Sequence, residues 1–287
     1  MLRSLVVNDL CELSAVDARQ LIASGELSPV ALLEACIDRI EATNDAINAI
    51  VAKDYDRAIH EATEAAKAVK ETRDLPPLHG IPIGIKDLNA TEGLRTTWGS
   101  LLFKDYVPEA DEALVARLRH AGAIIVGKTN TPEFGSGTAT NNLVYGPTHN
   151  PFDLERTSGG SSGGSGAALA TGMLPLCQGG DTGGSLRNPA TWCGVVGFRS
   201  TPGLVPRENR TLNYTHFNVQ GPMARSVADI ALMMTGCVGD DNHDPLAVPC
   251  DPLSFLNLEA ADLGNIRAAW TEDFGGIAPL DLSLIHI

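Results

Sequence analysis

The stretch GGSSGGSGAALATGMLPLCQGGDTGGSLR, residues 159–187, organises the reading of the chain. It contains two glycine–serine turns, Gly159 to Ser165 and Gly183 to Ser185, separated by a short apolar segment. Glycine permits positive φ and lets a second chain or a substrate approach closely. Two such turns presenting serine hydroxyls point to chemistry carried by backbone amides and hydroxyls. Between them, Gly166 to Thr171 predicts a helix and Leu174 to Cys177 a strand, so the glycines are not a flexible linker.

Working outward, Ser28-Pro29 reads as a helix N-cap with proline at the first helical position. Val30, Leu33, Ile37 and Ile40 follow at helical spacing, and Leu27 is placed to staple onto Leu32. A second helix carries Tyr55, Ile59, Ala62, Ala66 and Val69 on one face and ends by Leu75-Pro-Pro-Leu78. Gly80 to Asp87 (GIPIGIKD) predicts a buried strand with one lysine, Lys86, at its end. That lysine either reaches solvent past the strand end or is a desolvated amine able to act as a base. Asp111 to Ala121 predicts a helix closed by Gly122, and Ala123 to Val126 a strand. Gly122 to Thr129 (GAIIVGKT) matches a phosphate-binding pattern, but Ala-Ile-Ile-Val is strand material where an open loop is required. Lys128 is therefore structural or at a pocket rim.

Gly135 to Pro151 is polar loop. Beyond the central stretch, Gly194 to Phe198 is a further apolar element and Thr201-Pro-Gly203 a turn. Ser226 and Asp229 resemble a capping box before Val227, Ile230 and Met234, with Gly236 closing that helix. Ile266 to Trp270 predicts another strand. The alternation of strands and helices implies an α/β fold with the sheet in the middle.

Composition narrows the function. A net charge of −14 argues against a nucleic-acid surface, which needs clustered Lys and Arg. No stretch approaches the roughly 20 apolar residues of a membrane span. The six cysteines are scattered without a CxxC pair, which fits reduced thiols in a cytoplasmic protein. Neither HExxH nor a carboxylate–histidine cluster is present, so no metal and no cofactor is expected.

Three readings compete for the serines. Gly159-Gly-Ser161-Ser-Gly163 fits GxSxG, but a nucleophile elbow needs a preceding strand, and NPFDLERTS does not read as one. A linker is excluded by the packed segments behind it. The third reading makes one serine a nucleophile whose proton passes to a neutral lysine through a second hydroxyl, with N–H donors aimed at the oxyanion. Spacing alone does not show that Lys86, Ser161 and Ser185 meet.

The blocks LHGIPIGIKD, GAIIVGKTNTPEF, TSGGSSGGSGAALA, QGGDTGGSLRNPATWCGVVGFRSTPG and GPMARSVADIA, in that order, resemble the amidase signature family. The resemblance spans most of residues 14–280. It implies a mixed β-sheet core sandwiched between layers of α-helices, and a Ser–cisSer–Lys triad. Carried over, the base falls on Lys86, the relay on Ser161 after a cis peptide bond, and the nucleophile on Ser185. The oxyanion hole falls on the N–H groups of Thr182, Gly183 and Gly184. Ser162 matches a serine that hydrogen-bonds the relay, and Asp181 and Arg187 an acid and arginine bracketing the nucleophile.

The implied organisation is one amidase domain over residues 1–287: a helical N-terminal layer at 1–75, a catalytic core at 76–280 and an atypical tail at 281–287. Family members are considerably longer, so the chain reads as C-terminally truncated. The implied reaction is hydrolysis of a linear carboxamide, the partner being a small-molecule amide substrate and the assembly at most a homodimer. The alternative is the glutamine-hydrolysing member of a tRNA-dependent amidotransferase, which works with partner subunits. A reading of another class is an inactive fragment that keeps the fold.

Overall fold

In the computed structural model, strand β2 (Pro82–Lys86) is buried along its whole length and lies inside a six-stranded sheet. The structure describes residues 9–208, 214–239 and 241–256, with scattered positions between 258 and 277. The other strands of this sheet are β1 (Ile50–Lys53), β3 (Ile124–Thr129), β6 (Leu176–Asp181), β7 (Val196–Gly197) and β8 (Val219–Ala224). Their order is β1-β3-β2-β6-β8-β7. β2 runs parallel to β3 and to β6, whereas β1, β7 and β8 join antiparallel, so the sheet is mixed, as expected.

Alternation along the strands divides the core in two. Ile83, Ile85, Ile125, Leu176 and Ala224 join one buried cluster, with residues of helices α1 (Ala15–Ser24), α4 (Ala113–His120) and α7 (Val227–Cys237). Ile124, Val126, Cys177 and Met223 join the other, with α2 (Pro29–Ile47), α3 (Tyr55–Glu71), α5 (Gly163–Ala170) and α6 (Arg187–Trp192). Helix layers therefore cover both faces of the sheet, the arrangement a period of two along buried strands requires. The cap of α2 is as read: Ser28 Oγ accepts from Val30 N with Pro29 in the first turn. Leu27 and Leu32 fall in one core cluster.

Several local expectations are corrected. The GAIIVGKT segment is strand to its end, because Gly127 and Lys128 continue β3 through Thr129. A Cβ on Gly127 would stand 2.4 Å from Ala52 O, so this glycine admits β1 rather than a phosphate. NPFDLERTS does contain a strand, β5 (Asp153–Thr157), paired with β4 (His149–Asn150) in a separate ribbon. Asp153, Glu155 and Arg156 are exposed there, so apolar alternation is missing from the sequence. The ribbon lies outside the main sheet, and no nucleophile elbow is formed.

In α3 the buried residues are Ala58 and Ala62, while Ile59 is 40 % exposed. α5 begins at Gly163, three residues earlier than its apolar run suggests. β6 extends four residues beyond Cys177, because Gln178-Gly-Gly-Asp181 pairs with β8 across a full ladder. Gly236 lies inside α7, which ends at Cys237. Ser226 Oγ does cap α7 through Asp229 N, but the Asp229 carboxylate turns away to accept from Val16 N, at 3.0 Å, tying α7 to α1.

The chain divides into two units, Met1–Asn257 and Leu258–Ile287. In the second, Ile266, Arg267 and Ala269 are in no strand, while Ala268, Trp270 and the tail 281–287 lie outside the described residues.

Candidate active site

β2 and β6 part company at their carboxyl ends. Their ladder holds at Ile83–Leu176 and Gly84–Cys177 and goes no further. Beyond it, Lys86 N–H donates 3.1 Å to the side-chain Oε1 of Gln178, whose Nε2 donates 2.7 Å to Gly179 O. A side-chain amide thus replaces a ladder bond, and the strands splay. Crevices at the carboxyl ends of parallel strands are where open α/β sheets bind ligands.

Lys86 closes β2 on the same face as Pro82 and Gly84, toward α5. Its side chain is 1 % exposed, which rules out a head reaching solvent. Nζ lies 2.7 Å from Ser161 Oγ and 2.9 Å from Ser162 Oγ. Burial pulls the ammonium down from 10.5 to about 7; the Asp181 carboxylate opposes this and Arg207 adds to it. A neutral amine there has a lone pair to accept the Ser161 proton.

The hydroxyls are delivered by the α5 entrance. The Gly160–Ser161 peptide is cis, as expected. Ser162 is the N-cap residue of α5, and its Oγ donates 3.2 Å to Gly180 O while receiving Lys86. Ser162 therefore supports the lysine, not the relay serine as the resemblance implied. The glycines behind these serines are packing positions: a Cβ on Gly164 would stand 2.2 Å from Asn130 N.

The second turn meets the first through its backbone. Ser162 N–H donates 3.2 Å to Ser185 O, joining residues 23 apart in sequence. Ser185 is half-buried, and among the described residues its hydroxyl makes no hydrogen bond. Gly184 N–H donates 2.8 Å to Asp181 Oδ1, so it is spoken for and is not an oxyanion donor in this structure. Thr182 and Gly183 remain, both exposed.

Asp181 is a structural hub. Its buried carboxylate receives Gly184 N, Leu186 N, both Nε and Nη2 of Arg187, and Arg199 Nη1 at 2.9 Å. Burial alone would raise its pKa, but the Arg187 and backbone hydrogen bonds prevail and hold it at about 2. Arg187 is thus a partner of Asp181, and Arg199, unseen in the sequence, is a second.

A cavity of about 70 Å³ opens in the crevice, lined among others by Lys86, Ser161, Asp181, Thr182, Gln220 and Phe134. Ser185, Gly183, Gly184 and Arg187 do not line it. Below it, Glu112 Oε1 accepts from Asn89 Nδ2 at 3.0 Å and from Gln220 Nε2 at 2.6 Å, and burial raises the Glu112 carboxyl. Lys128 is wholly buried rather than at a rim, bonded to Asn89 O and to Thr91 Oγ1 at 2.8 Å. Gln178, Asn89, Glu112 and Gln220 were not legible as site residues, being polar residues of ordinary type scattered over four elements. Among the described residues no three His, Cys, Asp or Glu side chains form a metal site.

Sheet, crevice and serine–lysine cluster define a hydrolase of C–N bonds, and the family model named Amidase matches residues 31–281. The chain belongs to the amidase signature family. It is 42% identical over 263 residues to an acylamidase of Rhodococcus erythropolis, covering 92% of this chain and 55% of the relative. It is also 42% identical over 258 residues to the glutamyl-tRNA(Gln) amidotransferase GatA-type polypeptide of Roseiflexus castenholzii, covering 90% and 52%. Among solved structures, a bacterial aryl acylamidase of the amidase signature family superposes with a TM-score of 0.79 at 33% identity, over 83% of this chain and 50% of that one. The chain thus spans about half the length of the curated relatives it matches.

Proposed function

We propose that the protein is an amidase that cleaves a linear carboxamide through an acyl-enzyme on Ser185. Ser185 Oγ attacks the carbonyl carbon while Ser161 takes its proton and passes its own to neutral Lys86. The tetrahedral oxyanion is held by the N–H groups of Thr182 and Gly183. Gly184 joins them only if Asp181 releases it. On collapse the proton returns from Lys86 through Ser161 to the leaving nitrogen, and the C–N bond breaks. Water then attacks the ester with the same relay as base, freeing the acid and Ser185. The observation that carries this reading is the buried 2.7 Å contact between Lys86 Nζ and Ser161 Oγ, at an amine whose pKa is brought to about 7.

Six free thiols support a cytoplasmic setting. Among the described residues no helix is long and apolar enough to cross a membrane.

The test is active-site labelling with a fluorophosphonate, on this chain and on a form extended to the length of its relatives. Labelling at Ser185 that is abolished by Ser185→Ala and by Lys86→Ala is the expected result. Folded protein that does not label at Ser185 in either form would sink the assignment. The similarity to an amidotransferase component keeps a second reading in play: ammonia from glutamine only when partner subunits have been supplied. Hydrolysis of simple amides by the protein alone decides for the first.

A further inference from the structure

The polar floor of the crevice ends at an aromatic shelf. Phe134 lines the catalytic cavity together with Leu88 and Ser161, yet it is 54 % exposed. Its backbone is left-handed, φ 52° and ψ 21°, a conformation that bulky side chains avoid. Trp98, at φ 50°, is strained in the same way. The two are coupled, since Phe134 N–H donates 2.7 Å to Trp98 O, and Trp98 Nε1 donates 3.0 Å to Leu88 O. Phe103 meets Phe134 edge-on at 6.2 Å and Trp98 edge-on at 4.6 Å, and Tyr106 stacks on Trp98 at 5.3 Å. Strain of this kind is ordinarily repaid by burial. Here it holds a ring open at the mouth of a reactive site, and such outliers cluster where a ligand is gripped.

The shelf lies on one side of the chemistry. A Cβ on the next residue, Gly135, would stand 3.5 Å from Ser161 Oγ. In the reaction proposed above, Ser161 hands the proton to the leaving nitrogen, so the leaving group departs on the relay's side. An aromatic surface beside the relay faces the amine portion of the substrate, not the acyl portion. We infer that Phe134, backed by Phe103 and Trp98, receives an apolar substituent on the amide nitrogen, so that N-aryl amides are preferred to primary amides. Rings favour offset or edge-on aromatic partners and exclude the hydration that free ammonia carries. The inference rests on the acyl-enzyme reading and adds the substrate class.

The experiment uses the full-length protein and a matched pair, the anilide and the primary amide of one carboxylic acid. The wild type is expected to favour the anilide by at least about tenfold in kcat/KM. Phe134→Ala should cut that preference about tenfold, chiefly through KM of the anilide, and Phe134→Tyr, which keeps the ring, should restore it. Thermal unfolding checks that each variant is folded. Equal or better use of the primary amide by the wild type overturns the inference, as does a parallel loss on both substrates in Phe134→Ala with no rescue by Phe134→Tyr. Failure of the wild type to label at Ser185 overturns the underlying reading instead.

Discussion

Replacing the base should make the protein more stable. In the unfolded chain Lys86 titrates near 10.5, and in the fold near 7, so folding at neutral pH strips a proton that the unfolded amine would keep. At about 1.4 kcal/mol per pH unit, with half of the folded amines already neutral at pH 7, this costs the fold roughly 4 kcal/mol. The sign is that of a lysine with a depressed folded pKa. The penalty is complete below pH 7, shrinks as pH rises, and vanishes above 10.5. At pH 10 about 1 kcal/mol of it remains. Lys86→Met removes the penalty along with two hydrogen bonds, to Ser161 and Ser162, each worth about 1 kcal/mol. The variant should therefore be roughly 2 kcal/mol more stable than wild type at pH 7, and roughly 1 kcal/mol less stable at pH 10. Urea unfolding of both proteins at the two pH values measures this. Lys128 and every other titrating group cancel in the difference. A loss of stability that is the same at both pH values would mean that Lys86 keeps its proton in the fold, and the neutral-base argument would fail with it.

The rate of Ser185 labelling should rise with pH as one proton leaves, with a midpoint near 7 set by Lys86, and level off above it; a flat profile from pH 5 to 9 would count against the relay. Asp181→Asn leaves Arg187 and Arg199 without their shared carboxylate and should cost about 3–5 kcal/mol in unfolding measurements, whereas a cost under 1 kcal/mol would show the hub to be dispensable. Phe134→Gly relieves a left-handed backbone and should raise stability by about 1 kcal/mol, visible as a higher Tm; a lower Tm would show that the ring packs more than it strains.

The sheet and its helix layers were legible because β2, β3 and α2 carry strong patterns: fully apolar strands, a Ser-Pro cap, and a period of 3.6. β5 was not, since a two-stranded ribbon of Asp153, Glu155 and Arg156 buries no face and leaves no apolar alternation. The reach of β6 through Gln178-Gly-Gly-Asp181 was hidden for the opposite reason: its glycines look like a turn, while antiparallel pairing to β8 holds them as strand. At the site, residue types named Lys86 and Ser161 as chemistry, but only the fold brings Nζ within 2.7 Å of Oγ. The destinations of single hydrogen bonds were beyond reach. Ser162 turning to the lysine, Gly184 turning to Asp181, and Asp229 turning to α1 are choices among nearby partners that three-dimensional distance alone decides.

The bond from Ser162 N to Ser185 O has a bearing on how the protein tolerates change. It closes a compact segment that carries both serines by itself, so their mutual placement depends on local chain geometry alone. The lysine arrives from 75 residues upstream and docks through Nζ and the Gln178 amide. The intervening chain includes surface positions such as Leu102 and Leu143, each more than four-fifths exposed. Insertions there lengthen a loop at a cost that grows only slowly with length, without moving either serine. Peripheral loops can therefore be lengthened or exchanged while one serine cassette and one lysine strand stay in register.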